Sequence, residues 1–241
     1  MTLKRPIVNE TQRPVAGASS TDWTLWIRLI ERKQRLAARL SPPGMNSIRG
    51  GWRLTTSFLT RLTTSSFRLD GLEVTEAQAT SAMAAGSMQR PFRSRLSQRL
   101  RNHLAILWSI QRAVAANRPL KGETIVRWYT SVSCGLSNTG LDEATMDRLQ
   151  AVAGRISSPR LRLQPAIQDV ARVHSRLIAD PVVPSFNGIL ARLMLCYHLG
   201  RCGLPPVMFD PVADRPLLTE ESALLPRLMD LIDVSYSVLL A

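Results

Sequence analysis

The chain has 241 residues, 31 Lys and Arg against 18 Asp and Glu, a formal net charge of +13, and 45% apolar residues. That length can bury a core without metals or disulfides, and three cysteines without a CxxC spacing (Cys134, Cys196, Cys202) argue against a disulfide framework or zinc knuckle. No apolar run approaches the ~20 residues that span a bilayer, and the N-terminus has no apolar signal core, so a cytoplasmic protein without a membrane partner is expected, with the basic balance favouring acidic partners.

Residues 1–20 hold two prolines and Gly17-Ala18-Ser19-Ser20, too little apolar surface to offset ordering, and read as a flexible tail ahead of one helical domain over 21–241. Asp22 opens a helix whose Trp23, Trp26, Ile27, Ile30 and Leu36 recur at helical spacing until Ser41-Pro42-Pro43-Gly44. A second apolar pattern, Ile48 to Leu62, runs into Thr63 through Gly71, and Thr75 opens an Ala-rich helix to Ala85. Met88 to Arg118 reads as one long amphipathic helix after Pro91, whose exposed side carries Arg90, Arg93, Arg95, Arg99 and Arg101. That basic patch is a candidate nucleic-acid surface, but aromatics interleave little with it, and a solvated helix face is the expectation.

A helix through Ile125, Val126, Trp128 and Tyr129 should close at Gly135, before the turn-forming 137–140 segment. Asp142 to Ile156 follows, broken at Ser157-Ser158-Pro159, and Pro165 suits the first turn of the next helix. That helix leads into a loop with Pro181, Pro184 and the pair Asn187-Gly188, then a very apolar helix ending at Gly203. After a connector from Val207 to Pro216, Thr219 starts a terminal helix to Leu240, with a break expected at Pro226. No strand alternation and no internal repeat appears, so the fold class is all-α with eight or nine helices. His103 and His198 fall in apolar helical patterns and read as core histidines. His198 and Cys202 stand four apart with no third ligand near, so no metal is expected.

The start of the apolar helix is the informative place. The first amides of a helix lack internal partners and its N-terminal end is partly positive, so Asn187 and Gly188 mark a candidate anion or nucleotide site, with Arg192 one turn on. Asn187 is expected to cap the helix and Gly188 to supply a permissive backbone.

The segment over 180–206 resembles the signature of the Fic (filamentation induced by cAMP) family, His-Pro-Phe-x-Asp/Glu-Gly-Asn-Gly-Arg-x-x-Arg followed by an apolar helix and Gly-x-Pro-Pro. Asn187, Gly188 and Arg192 match, as do Leu193, Leu199, Gly203, Pro205 and Pro206, and His174 matches a His of the preceding helix. Gln164-Pro165 stands where the family commonly starts that helix with His-Pro. Upstream, Ser66, Asp70 and Gly71, within 60–72, resemble the family's inhibitory motif Ser/Thr-x-x-x-Glu-Gly/Asn, with Asp for Glu. The resemblance implies a Fic-like helical bundle. The flap hairpin that docks a target would be missing or vestigial, because only Gly135 to Leu141 fills its place.

The departures imply lost activity. Pro181 stands at the general base, Ser185 at the acid that holds Mg²⁺, Phe186 at the first Gly of the anion loop and Ile189 at the first Arg. Catalytic residues of the usual AMP-transfer route are therefore none, and ATP with Mg²⁺ would be a cofactor only if residual activity exists. With Ile189 opposite, Asp70 is expected to lack the family's inhibitory ion pair and serve as a turn residue, while Arg192 is left between Asp70 and a C-terminal acid as partner. The expected function is an inactive Fic-like regulator or scaffold binding another protein. An AMP transferase with a rearranged site and a basic nucleic-acid-binding regulator are the alternatives.

Overall fold

The computed structural model describes residues 20–40, 54–85, 94–134, 141–157 and 163–240. Within them lie nine α-helices and a short 3₁₀ turn, with no β-strand. They are α1 (Ser20–Leu40), α2 (Thr56–Leu69), α3 (Glu76–Ala85), α4 (Arg95–Ala115), α5 (Gly122–Ser133), α6 (Glu143–Ser157), α7 (Leu163–Ala179), α8 (Asn187–Arg201) and α9 (Glu221–Leu240). The all-α class expected from the sequence is found. The N-terminal tail, the 41–53 segment, Arg90, Arg93 and the flap segment 135–140 lie outside the described residues.

The starts are set by side chains that take up orphan amides. Thr55 Oγ1 accepts the Phe58 N–H at 3.2 Å, Ser94 Oγ that of Ser97 at 3.1 Å, and Asp142 Oδ1 that of Thr145 at 2.8 Å. Thr75 and Gln78 form a reciprocal capping box on α3, Gln78 N–H to Thr75 Oγ1 at 3.2 Å and Thr75 N–H to Gln78 Oε1 at 2.9 Å. The long basic helix expected over Met88 to Arg118 is α4, which starts at Arg95 because Ser94, extended at φ −151°, is its N-cap, and ends at Ala115. α5 ends at Ser133, two residues before the expected glycine, because Cys134 itself takes the left-handed conformation, φ 52°. The break expected at Pro226 does not occur: α9 runs on through it, and a proline one turn from the start forfeits a single intrahelical bond.

Helix α8 is the axis of the molecule. Every residue from Ile189 to Gly200 is buried, as a helix apolar on all sides requires. On one side α2, α4, α5 and α6 pack against it in a core with Leu59, Phe67, Leu104 and Ile125, and α3 lies on α2 and α4. On the other side α7 packs on α8, α9 on α7 and α1 on α9, sharing a second core that joins Leu29, Ile167, Leu224 and Tyr236 to Leu195 of α8. The helix closes in a Schellman turn, with Gly203 at φ +70° and the Leu204 N–H on the Leu199 carbonyl at 2.9 Å.

The connector after α8 folds back over the core and is pinned at two points. Ser65 donates to the Phe209 carbonyl, and the buried Asp214 accepts two bonds from Arg227, at 2.6 and 3.2 Å. α1 lies on α9, where Arg32 Nε sits 3.1 Å from Asp233 Oδ1.

Candidate functional site

The loop between α7 and α8 is shaped by its own side chains. Asn187 does not cap α8 but opens it, and its side chain reaches back. Its Oδ1 accepts the Val182 N–H at 3.0 Å and its Nδ2 donates to the Leu177 carbonyl at 2.6 Å. The amide thus ties the end of α7 to the loop, satisfying buried backbone groups at both places. The cap position belongs to Phe186, held in the left-handed region at φ 55°, with the Arg99 guanidinium 4.5 Å above its ring. Ser185 Oγ lies 3.3 Å from the Tyr129 hydroxyl, and Pro181 is exposed.

Into the start of α8 comes the end of α2. Asp70 Oδ2 accepts the Ile189 N–H at 3.2 Å, and Asp70 Oδ1 pairs with Arg192 Nη2. Arg192 Nε donates to Ser66 Oγ at 2.9 Å, and its Nη2 also donates to the Ser66 carbonyl at 2.6 Å. A carboxylate of the chain itself therefore stands at the anion-attracting end of α8. Asp70 is also the C-cap of α2, and Gly71 at φ +81° carries the turn that follows. Ile189 offers Asp70 no charge, as expected, but Asp70 is more than a turn residue: Arg192, one turn further along the helix, reaches it. The choice left open for Arg192 falls to Asp70.

Gly188 is needed for space rather than for backbone freedom. Its φ is not positive, but a Cβ there would strike the Asp70 carboxylate and lie 3.0 Å from Arg192 Nη1.

Behind this pair the site is closed. Arg192 is buried, which pushes its guanidinium below the ordinary arginine range, with Asp70 opposing that shift. His103 and His174 are both core residues, each pushed down to about 3 by burial first and then by the nearby Arg192 charge. His103 Nδ1 meets Thr63 Oγ1 at 3.0 Å, and its ring stands edge-on to Phe67. His174 stacks on Phe209, centroids 5.9 Å apart. Burial pushes the Cys196 thiol up to about 12. The cavity among Ser66, His103, Arg192, Cys196 and Phe209 measures about 10 Å³, enough for one water and nothing larger.

His198, the other expected core histidine, is buried with Nε2 3.7 Å from Asp169 Oδ2. Cys134, Cys196 and Cys202 form no disulfide.

These residues do not fit a magnesium nucleotide. The position that would hold a hard cation offers the Ser185 hydroxyl, and the one carboxylate at the helix start already pairs with Arg192. Among the described residues no three His, Cys, Asp or Glu side chains gather as a metal site. Of the basic patch, Arg95 is exposed, Arg101 partly so, and Arg99 is turned onto Phe186. Sequence reasoning missed the Arg99–Phe186 and Tyr129–Ser185 contacts, which join residues far apart in the chain and leave no spacing signal. It also missed the Ser66 carbonyl, since a backbone acceptor has no residue signature.

No protein-family model matches the sequence, and no curated protein matches it. Solved structures do. A Fic domain containing signaling protein from Bacteroides thetaiotaomicron is 16% identical with a TM-score of 0.63, the alignment covering 88% of this chain and 95% of that one. Fic-1 (residues 134–508, E274G) from C. elegans is 14% identical with a TM-score of 0.66, over 92% of this chain and 72% of that one. At such identities the likeness speaks to architecture, and the chain has the helical-bundle fold of Fic-domain proteins.

Proposed function

We propose that the chain is a catalytically inactive Fic-fold protein that works by binding another protein, as a regulator or scaffold. The observation that carries this reading is the carboxylate of Asp70 at the start of α8, bonded to the Ile189 N–H at 3.2 Å and paired with the buried Arg192. In the family that the sequence resembles, that end of the helix takes the nucleotide's phosphates. Here it is filled from within the chain, while Pro181, Ser185, Phe186 and Ile189 stand where base, metal ligand, loop glycine and arginine would be. Losing groups that act together removes the mechanism rather than slowing one step. The Bacteroides protein of the same fold is described as a signaling protein, which favours a regulatory role.

Incubation with labelled ATP, Mg²⁺ and a protein extract tests the reading. No transfer of AMP is expected, either to the chain itself or to any extract protein. Robust labelling that disappears on Arg192→Ala, in a variant shown to remain folded, would establish a transferase with a rearranged site instead.

A further inference from the structure

We infer that the outward face of α4, together with the groove where α4 meets α5, binds single-stranded nucleic acid. The inference stands apart from the α8 site and would hold whether or not that site is closed.

Its first support is charge. No Asp or Glu occurs between Glu76 and Glu123, a segment that contains all of α4 and is rich in arginine. Helix α4 turns Gln98, Arg101, Ala105, Trp108 and Arg112 outward at steps of three and four, which places them in one row. Trp108 is 39% exposed in the middle of that row. An indole left partly open between arginines costs hydrophobic burial, and among the described residues its outer part stays in solvent.

The row leads to a groove of about 470 Å³. Ser109 and Ala113, one turn apart on α4 and next in the chain to Trp108 and Arg112, line it with small side chains. Arg118, Lys121 and Arg127, all exposed, stand around the mouth with Glu123 as the single acid. Tyr197 lines the floor and fixes the turn after α4, its hydroxyl donating to the Arg118 carbonyl at 2.5 Å. Tyr197 lies ten residues beyond Asn187, on the order of 15 Å along α8 from the Asp70 site at 1.5 Å per residue.

A row of cations with an open aromatic among them matches a phosphodiester backbone whose bases are free to stack. A duplex hides its base faces and would leave Trp108 unused. A membrane surface would need an apolar stripe, and Trp108 is the one large apolar side chain in the row.

Fluorescence anisotropy of a labelled oligothymidylate with the full chain tests this across about 50 to 200 mM salt. If Arg112, Arg118, Lys121 and Arg127 each neutralise a phosphate, log K should fall against log salt with a slope near −3, at about −0.7 per phosphate. Trp108→Ala should weaken binding about tenfold while Trp108→Phe retains most of it, since stacking needs only a ring. Arg112→Glu with Lys121→Glu, both at exposed positions, should weaken binding and flatten the slope in a variant shown by circular dichroism to remain folded. The inference is overturned if Trp108→Ala binds as the parent does. It is equally overturned if polyglutamate competes as well as the oligonucleotide, which would assign the face to an acidic protein, or if a duplex of the same length binds more tightly.

Discussion

Arg192 holds three partners in a dry place: the Asp70 carboxylate, the Ser66 hydroxyl and the Ser66 carbonyl. Removing one member of such a pair strands the other, so Arg192→Leu should cost about 3 kcal/mol, read by urea unfolding. Removing both charges at once should cost less than the two single changes together, and an additive double variant would mean that the pair is not coupled. Gly188 gives a test of sign. Alanine in a helix is ordinarily favoured over glycine by about 1 kcal/mol, but here its Cβ meets the Asp70 carboxylate. Gly188→Ala should therefore destabilise the parent and stabilise an Asp70→Gly background. Stabilisation in both would show that Asp70 does not sit at the start of α8. The residue pattern 66, 70, 71 was legible in the sequence as a resemblance, and so was the Asn187-Gly188 pair. Their meeting was not, because Asp70 and Ile189 touch across 119 positions of chain.

Helix α8 shows what could be read at the scale of an element. A run such as Leu193-Met194-Leu195-Cys196-Tyr197 has no polar face, so its sequence already marks it as buried on all sides. What the sequence hides is how near its neighbours come. A Cβ on Gly200 would lie 2.9 Å from Val114 Cγ2 and 3.1 Å from Cγ1, so the glycine lets α4 and α8 close together. Val114 is β-branched and cannot swing aside easily. Gly200→Ala should cost about 1–3 kcal/mol in thermal or urea unfolding, and Val114→Ala in the same chain should recover part of it. No recovery would place the strain elsewhere. Helix ends were legible where a side chain announces them, as at Thr75 and Asp142, though the cap at Ser94 was passed over in a helix drawn from Met88. They were misread where the chain turns without a glycine, as at Cys134 with φ 52°, and where a proline sits inside a helix whose packing holds it, as at Pro226.

At the scale of the molecule, two buried histidines couple the core to pH. His103 and His174 titrate at about 3 when folded against an ordinary 6.5, so the unfolded chain binds protons that the native core refuses. Their contribution is complete above pH 6.5 and is lost progressively as pH falls toward 3. Each should subtract up to about 1.4 kcal/mol of stability per pH unit in that window. Urea midpoints at pH 7 and pH 5 check this, and His174→Phe, which keeps a ring against Phe209, should reduce the loss by roughly half. An unchanged loss in that variant would assign the acid sensitivity to other groups. The bundle as a whole was legible from apolar periodicity, because helices packed about one apolar axis leave their mark at every third or fourth residue. The closure of the α8 start was not, since it depends on how two distant helix ends meet.

Calorimetric titration with ATP and Mg²⁺ tests that closure most directly. The account predicts no measurable binding to the parent chain and a weak, salt-sensitive anion affinity in Asp70→Ala, where the Ile189 N–H and Arg192 are released. Tight binding of the nucleotide to the parent chain, unchanged by Asp70→Ala, would contradict it.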